Sequence, residues 1–275
     1  MTNLLDFDFM RRALVAAALV GLVAPMIGVF LVQRRLALLG DGMGHVALTG
    51  VGLAFLVGSA PIPTAMATAV IGAFLIEFIR YRSRTAGDVA LALLFYGGIA
   101  GGVMFASLAP GKASSSLNAY LFGSLSTVAE GDVWALAVLS VGVIAVVAVL
   151  GRELFAVSLD PDIAAVQGIR VRVLSTLMAV LAAVVVVVGM RVVGLLLVSA
   201  IMIVPVAAAQ QVTRSFRATA GLAIVLGLVA SITGLVGSFY VEVPPGPTIV
   251  IVALLSFAVL AMVAVPVRRR RRPAS

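Results

Sequence analysis

Ala182-Ala183-Val184-Val185-Val186-Val187-Val188-Gly189-Met190-Arg191-Val192-Val193-Gly194-Leu195-Leu196-Leu197-Val198-Ser199-Ala200 carries a single charge, Arg191. That arginine divides two longer runs, 173–190 and 192–212, neither of which contains a charged residue. About 20 apolar residues cover a hydrocarbon core ~30 Å thick, so each run approaches the length of a membrane span. Two readings are open. Either a tight hairpin at Arg191 joins two spans, or one of the two segments does not fully cross.

The rest of the chain follows the same pattern. Of 275 residues, 63% are hydrophobic and 11% charged, whereas a soluble domain is about 25% charged. A globule this apolar could not cover its own surface with polar groups, so the bilayer is the expected solvent. Nine candidate spans lie near 13–33, 38–58, 62–79, 88–109, 133–150, 173–190, 192–212, 219–240 and 247–266, within a range of eight to ten. The expected fold is an all-α polytopic helical bundle forming one transmembrane domain over 1–275. No long polar stretch suggests an appended soluble domain. The N-terminus lacks a signal-peptide layout, so the first span is expected to remain.

The net charge of +8 does not indicate nucleic acid, because the basic residues occupy short gaps between apolar runs. With the N-terminus outside, the inner gaps hold Arg34, Arg35, Arg80, Arg82, Arg84, Arg152, Arg170, Arg172, Arg214, Arg217 and Arg268 to Arg272, which is 15 of the 19 basic residues. This satisfies the positive-inside rule, with Arg11 and Arg12 standing against it. The basic tail, 267–275, is expected on the cytoplasmic side, where arginines beside a span attract anionic lipid at about 1 kcal/mol each.

Cysteine is absent, which removes disulfides, thiolate metal sites and cysteine nucleophiles. There is no G-x-x-x-x-G-K-[ST] loop and no H-E-x-x-H, and His45 is the sole histidine. ATP hydrolysis and membrane proteolysis are therefore not expected of this chain.

Three segments carry candidate chemistry. In Gly40-Asp41-Gly42-Met43-Gly44-His45, the i,i+4 spacing stacks Asp41 and His45 on one helical face. An ionisable residue at membrane depth is a functional-site hypothesis by default. Imidazole nitrogen with carboxylate oxygen suits zinc, manganese or iron(II). One chain supplies two such donors while zinc usually takes four, so a twofold dimer would complete the set. The alternative is a hydrogen-bonded pair that only fixes helix packing. In the polar island 152–172, Asp160 is placed to cap a short helix with Pro161 first and Gly168 ending it. Such a helix at the inner face, presenting Ala165, is something a partner protein could grip; a plain interfacial helix is the alternative. In Glu242-Val243-Pro244-Pro245-Gly246-Pro247, predicted outside, Glu242 is a candidate outer-gate residue on what is otherwise a stiff connector. Besides these, Gly97, Gly98, Gly101 and Gly102 form overlapping small-xxx-small pairs suited to close packing, and Pro25 and Pro205 lie within spans.

Taken in order, six landmarks resemble the permease subunits of metal-importing ABC transporters, the zinc/manganese family. They are Arg34-Arg35-Leu36-Ala37 leading to Asp41 and His45; Asp88-x-x-Leu91 into Leu94-Phe95-Tyr96-Gly97-Gly98; Tyr120-Leu121-Phe122-Gly123-Ser124; Leu159-Asp160-Pro161 with Gln167-Gly168-Ile169; Arg191 to Ala200 with Pro205; and Pro245 to Val250. The resemblance implies a larger, vitamin B12 type (type II) importer permease, working as a homodimer in a bacterial cell membrane. A separate ABC ATPase subunit and an extracytoplasmic metal-binding protein would be its partners. Asp41 and His45 from both subunits would form a transient Zn²⁺ or Mn²⁺ site, with no permanently bound cofactor, and Asp160, Pro161, Ala165 and Gly168 would couple to the ATPase. A permease for a metal chelate and a proton-coupled secondary transporter are the alternatives. Gly42 and Gly44 stand where many relatives carry bulkier residues; at roughly 1 kcal/mol each they leave two forms open for 40–45, a regular helix or a partly unwound one.

Overall fold

The structure is a computed structural model that describes residues 7–82, 87–110, 119–123, 130–190 and 192–269. Its helices are α1 (Asp8–Gln33), α2 (Leu39–Val57), α3 (Pro61–Arg82), α4 (Gly87–Leu108), α5 (Glu130–Leu159), α6 (Pro161–Val166), α7 (Val171–Gly189), α8 (Leu195–Val212), α9 (Phe216–Val241) and α10 (Pro245–Arg269). Residues 119–122 add one helical turn, and no strand occurs among the described residues. Arg84, Lys112, Ser124, Arg191 and 270–275 lie outside the described set.

The nine expected spans correspond to nine apolar helices, and the chain is an integral membrane protein. Eight of them are long and apolar enough to cross a bilayer; the apolar part of α8, Leu197–Val212, is shorter. Helix α5 continues to Leu159, well past its expected end near 150, so the first part of the polar island completes a helix about 45 Å long. Helices α1, α2 and α7 are mostly buried, whereas α3, α4, α5 and α10 turn most of their apolar surface outward. Small residues explain the inner packing, because glycine and alanine let membrane helices approach closely. A Cβ on Gly227 of α9 would lie 2.4 Å from the Gly21 carbonyl oxygen of α1. Between α2 and α4, a Cβ on Gly98 would lie 2.5 Å from the His45 backbone, and one on Gly102 2.6 Å from Leu48. Gly97 meets nothing, so the small-residue reading holds for one face of α4 only.

Two ends of the bundle are defined by their clusters. At one, Phe30, Leu154, Val157, Ala164 and Leu174 are buried together, with Phe216 stacked on Phe30 and Phe155. The helix bounds bring Arg34, Arg35, Arg80, Arg82, Arg170, Arg172, Arg214 and Arg217 to this Phe30 end. At the other, Phe7 contacts Phe239. Arg11 and Arg12, the two residues at odds with the charge rule, are here: Arg11 pairs with Asp8 at 2.9 Å and Arg12 with Glu130 at 3.1 Å. Their charge is locally balanced, which weakens their pull on orientation.

The described residues of the link between α7 and α8, Met190 and 192–194, are buried. Met190, Val192, Val193 and Leu195 are at most 1% exposed. Irregular backbone at membrane depth is tolerated only where protein covers it, and this turn meets its own needs. The Val192 and Val193 amides donate to the Gly189 carbonyl and the Gly194 amide donates to that of Met190. Three landmark segments interlock around it. A Cβ on Gly123 would lie 2.5 Å from Val192 O, one on Gly194 2.5 Å from Leu121 O, and one on Gly246 2.0 Å from Val193 O. Gly123 and Gly194 also have φ of +76° and +92°, which favours glycine. The turn sits near mid-bundle, because Gly189 faces both Val198 and Val20, halfway along α1. From there α8 runs to the Phe30 end, where Val206 and Ala209 pack with Val29. Both helices meet at this turn, and of the two α7 has the length of a span while the apolar part of α8, Leu197–Val212, is shorter.

Candidate functional site

Asp41 lies in the first turn of α2 and His45 one turn further on. Their side chains face each other, with His45 Nε2 3.9 Å from Asp41 Oδ2. That is too long for a hydrogen bond. It is close to the separation of about 3.4 Å that two ligands ~2.1 Å from one tetrahedral ion would have. Gly44 abuts the Leu195 carbonyl and Val186, which sets His45 near the depth of the α7–α8 turn. Asp41 is a turn closer to the Phe30 end.

Of the two forms open to 40–45, the structure has the regular helix. Residues 39–57 form one continuous α-helix, and the Gly42 amide donates to the Leu38 carbonyl at 2.9 Å. The two glycines serve packing. A Cβ on Gly42 would lie 2.9 Å from Leu91 Cδ1, and one on Gly44 3.3 Å from Leu195 O. Close contact with α4 and α8 offsets the helix propensity that glycine loses.

Two residues to which the sequence reading gave no role complete the surroundings. The Ser199 hydroxyl donates to Asp41 Oδ1 at 3.2 Å, leaving Oδ2 turned toward His45. The Phe95 ring meets the imidazole edge-on at 4.1 Å between centroids. His45 is buried and its Nδ1 has no hydrogen-bond partner among the described residues, whereas the Asp41 side chain is 30% exposed. Among the described residues no three or more His, Cys, Asp or Glu side chains cluster. Among the described residues the donors this pair offers an ion are one carboxylate and one imidazole, with the Ser199 hydroxyl engaged on the carboxylate.

The other candidate residues lie apart from this pair, one group at each end. At the Phe30 end, Asp160 Oδ1 accepts from the Asp162 and Ile163 amides at 2.9 and 3.0 Å. Pro161 opens α6 and Gly168, with φ +81°, follows its C-cap Gln167. Ala164 anchors the helix in the Phe30 cluster, while Ala165 and Gly168 are exposed and Val166 is 89% exposed. At the Phe7 end, Glu242 caps α9 in the left-handed region, φ 57°, and is exposed.

The model of the ABC 3 transport family matches residues 6–264. The chain belongs to the ABC 3 transport family. Among its relatives, the manganese import system permease protein ScaB of Streptococcus parasanguinis is 32% identical over 272 residues, 99% of this chain and 96% of that protein. The manganese transport system membrane protein MntC of Listeria innocua is 31% identical over 257 residues, 94% of this chain and 91% of its own length. Of solved structures, PsaBC from Streptococcus pneumoniae in complex with Fab superposes with a TM-score of 0.84 at 28% identity, covering 94% and 92% of the two chains. A transporter assigned to the metal-chelate type, in an inward-facing conformation, gives a TM-score of 0.76 at 16% identity over 92% and 85%, which shows a shared fold. The all-helical ABC importer permease architecture implied by the sequence is thereby borne out. As an ABC 3 family member the chain has its landmark segments in three places: around the α2–α4 crossing that holds His45, around the α7–α8 turn, and at α6 in the Phe30 cluster.

Proposed function

We propose that this chain is the membrane-spanning permease of an ATP-driven importer for a divalent first-row metal ion, with Asp41 and His45 meeting the ion during passage. The observation that carries this is the Asp41–His45 pair at 3.9 Å, its imidazole buried and its carboxylate partly exposed, inside an ABC 3 family chain. Manganese is favoured over zinc as cargo, on the names of the relatives. His45 offers Nε2, which ligates when unprotonated, and Asp41 offers Oδ2, while Ser199 holds the other carboxylate oxygen. Such a two-donor site is incomplete, so its affinity is modest and the ion can leave. A second copy, related by a twofold axis, would supply the remaining ligands.

The wider assembly follows the same reading. An ABC ATPase subunit docks on the Phe30 end through the α6 region, with Asp160 and Pro161 shaping the helix and Ala165 and Gly168 on its accessible side. An extracytoplasmic binding protein delivers the ion at the Phe7 end, where Glu242 is placed to act as an outer gate. The whole chain then acts as one permease domain in a bacterial inner membrane, its basic tail against cytoplasmic-leaflet lipid.

Uptake of radioactive manganese by cells expressing the complete transporter tests the site. Asp41→Asn and His45→Ala should each reduce uptake to about a tenth or less, because removing one of two donors costs at least a decade in affinity. Near-normal transport in both variants, at equal membrane levels, would sink the assignment.

A further inference from the structure

On the outside of the bundle at the Phe30 end, α3 and α7 diverge to leave a groove of about 380 Å³. Its lining includes Glu77, Arg80, Tyr81, Arg172, Ser175 and Thr176. Glu77 and Arg80 pair at 2.5 Å and are largely shielded, so they neutralise each other. Arg172 differs. Its guanidinium lies 3.1 Å from the Tyr81 ring centroid, and among the described residues no carboxylate pairs with it. Stacking occupies the face of a guanidinium and leaves its N–H edges free to donate. The Thr176 hydroxyl lies one turn along the same helix. Ser175, already accepting from Arg34 at 2.9 Å, retains its own proton to donate.

Above this polar mouth the groove is apolar. Ile71, Phe74 and Phe78 of α3 are 65%, 56% and 58% exposed and fall at i, i+3 and i+7, on one helical face. They form a ridge running from the groove toward mid-bundle, in the direction of lipid tails. An unpaired cation beside aromatic rings at the end of a spanning helix, continued by an exposed aromatic ridge, matches an anionic headgroup with its acyl chains. A soluble anion would use only the mouth. We infer that this groove is a site for an anionic phospholipid, with the phosphate on Arg172 and the chains along the α3 ridge. Arg172 is the second residue of α7, just beyond α6, so an occupied site would brace the corner that carries the proposed coupling segment.

The test is native mass spectrometry of the full-length chain released from micelles doped with phosphatidylglycerol or phosphatidylcholine. Phosphatidylglycerol should be retained at lower concentration than phosphatidylcholine. Arg172→Gln should weaken that retention by about fivefold or more, the factor equivalent to ~1 kcal/mol for one arginine near an anionic surface. Arg217→Gln, an exposed arginine at the same end away from the groove, should leave it unchanged. Tyr81→Leu keeps the charge but removes the stacking ring and should also weaken retention; it serves if Arg172→Gln fails to fold. Equal weakening by Arg172→Gln and Arg217→Gln would reduce the effect to diffuse surface charge and overturn the site. Displacement of the lipid by millimolar inorganic phosphate would make it a free-anion site instead. Unchanged lipid retention with lost ATPase capture in Arg172→Gln would reassign the groove to protein docking.

Discussion

At the scale of residues, Asp41 is the centre of the site and Ser199 decides which way its carboxylate faces. The hydroxyl donates to Oδ1, so Oδ2 is the oxygen left for His45 and the ion. A hydrogen bond to a charged acceptor is worth about 1.5–3 kcal/mol. Ser199→Ala should therefore weaken the half-saturating metal concentration for uptake by about tenfold, with maximal uptake largely retained. Ser199→Thr, which keeps the hydroxyl, should restore most of it. A Ser199→Ala variant with unchanged concentration dependence would show that the bond does not orient the carboxylate. The pairing of Asp41 with His45 could be read from their spacing, because i,i+4 is a local rule. Ser199 is 158 positions away, and no periodicity connects a second-turn serine of α8 with a first-turn aspartate of α2. The same distance hides one of the two pairings that balance Arg11 and Arg12. Their counter-charges are Asp8, which is local, and Glu130, which is not.

Elements divide in the same way between local and distant causes. The short helix α6 forms where Asp160, Pro161 and Gly168 place it, since capping and termination depend on neighbours in sequence. The length of α8 could not be read, because the turn before it exists only where Gly123 and Gly246 pack against its carbonyls. The helicity of 40–45 is not legible in the sequence, because glycine's intrinsic cost is local whereas the contacts to Leu91 and Leu195 that offset it are distant. Two element-scale predictions follow from these contacts. Gly98→Ala would drive a methyl into the His45 backbone, 2.5 Å away. It should destabilise the α2–α4 crossing by about 1–3 kcal/mol and reduce uptake, while Gly97→Ala should melt like the parent protein. Equal thermal midpoints for the two would dismiss the crossing as a constraint. On α6, Val166→Asp replaces a side chain that is 89% exposed, so the fold should stand. ATPase capture by the detergent-purified permease should fall several-fold, by the loss expected of an apolar contact at an interface. Capture at the parental level would move the docking surface away from α6.

For the whole molecule, the decisive quantity is the number of ligands. A single chain brings one imidazole and one carboxylate to the candidate site, and no further cluster of metal-ligating side chains occurs among the described residues. Manganese prefers oxygen-rich octahedral surroundings and zinc usually takes four ligands, so neither is satisfied by two donors without water or a second copy. Asp41 is the more exposed of the pair, which leaves its outer edge available to a partner. If two chains share one ion, the purified permease should bind one manganese per two chains, measured by equilibrium dialysis with metal analysis. Dimers built from one parental chain and one Asp41→Asn chain, isolated with two affinity tags, should then bind more weakly than parental dimers by a single common factor. Independent sites behave differently, because half of the sites in mixed dimers would keep parental affinity and half would lose it. A biphasic isotherm of that kind, or a stoichiometry of one ion per chain, would replace the shared axial site with two separate paths.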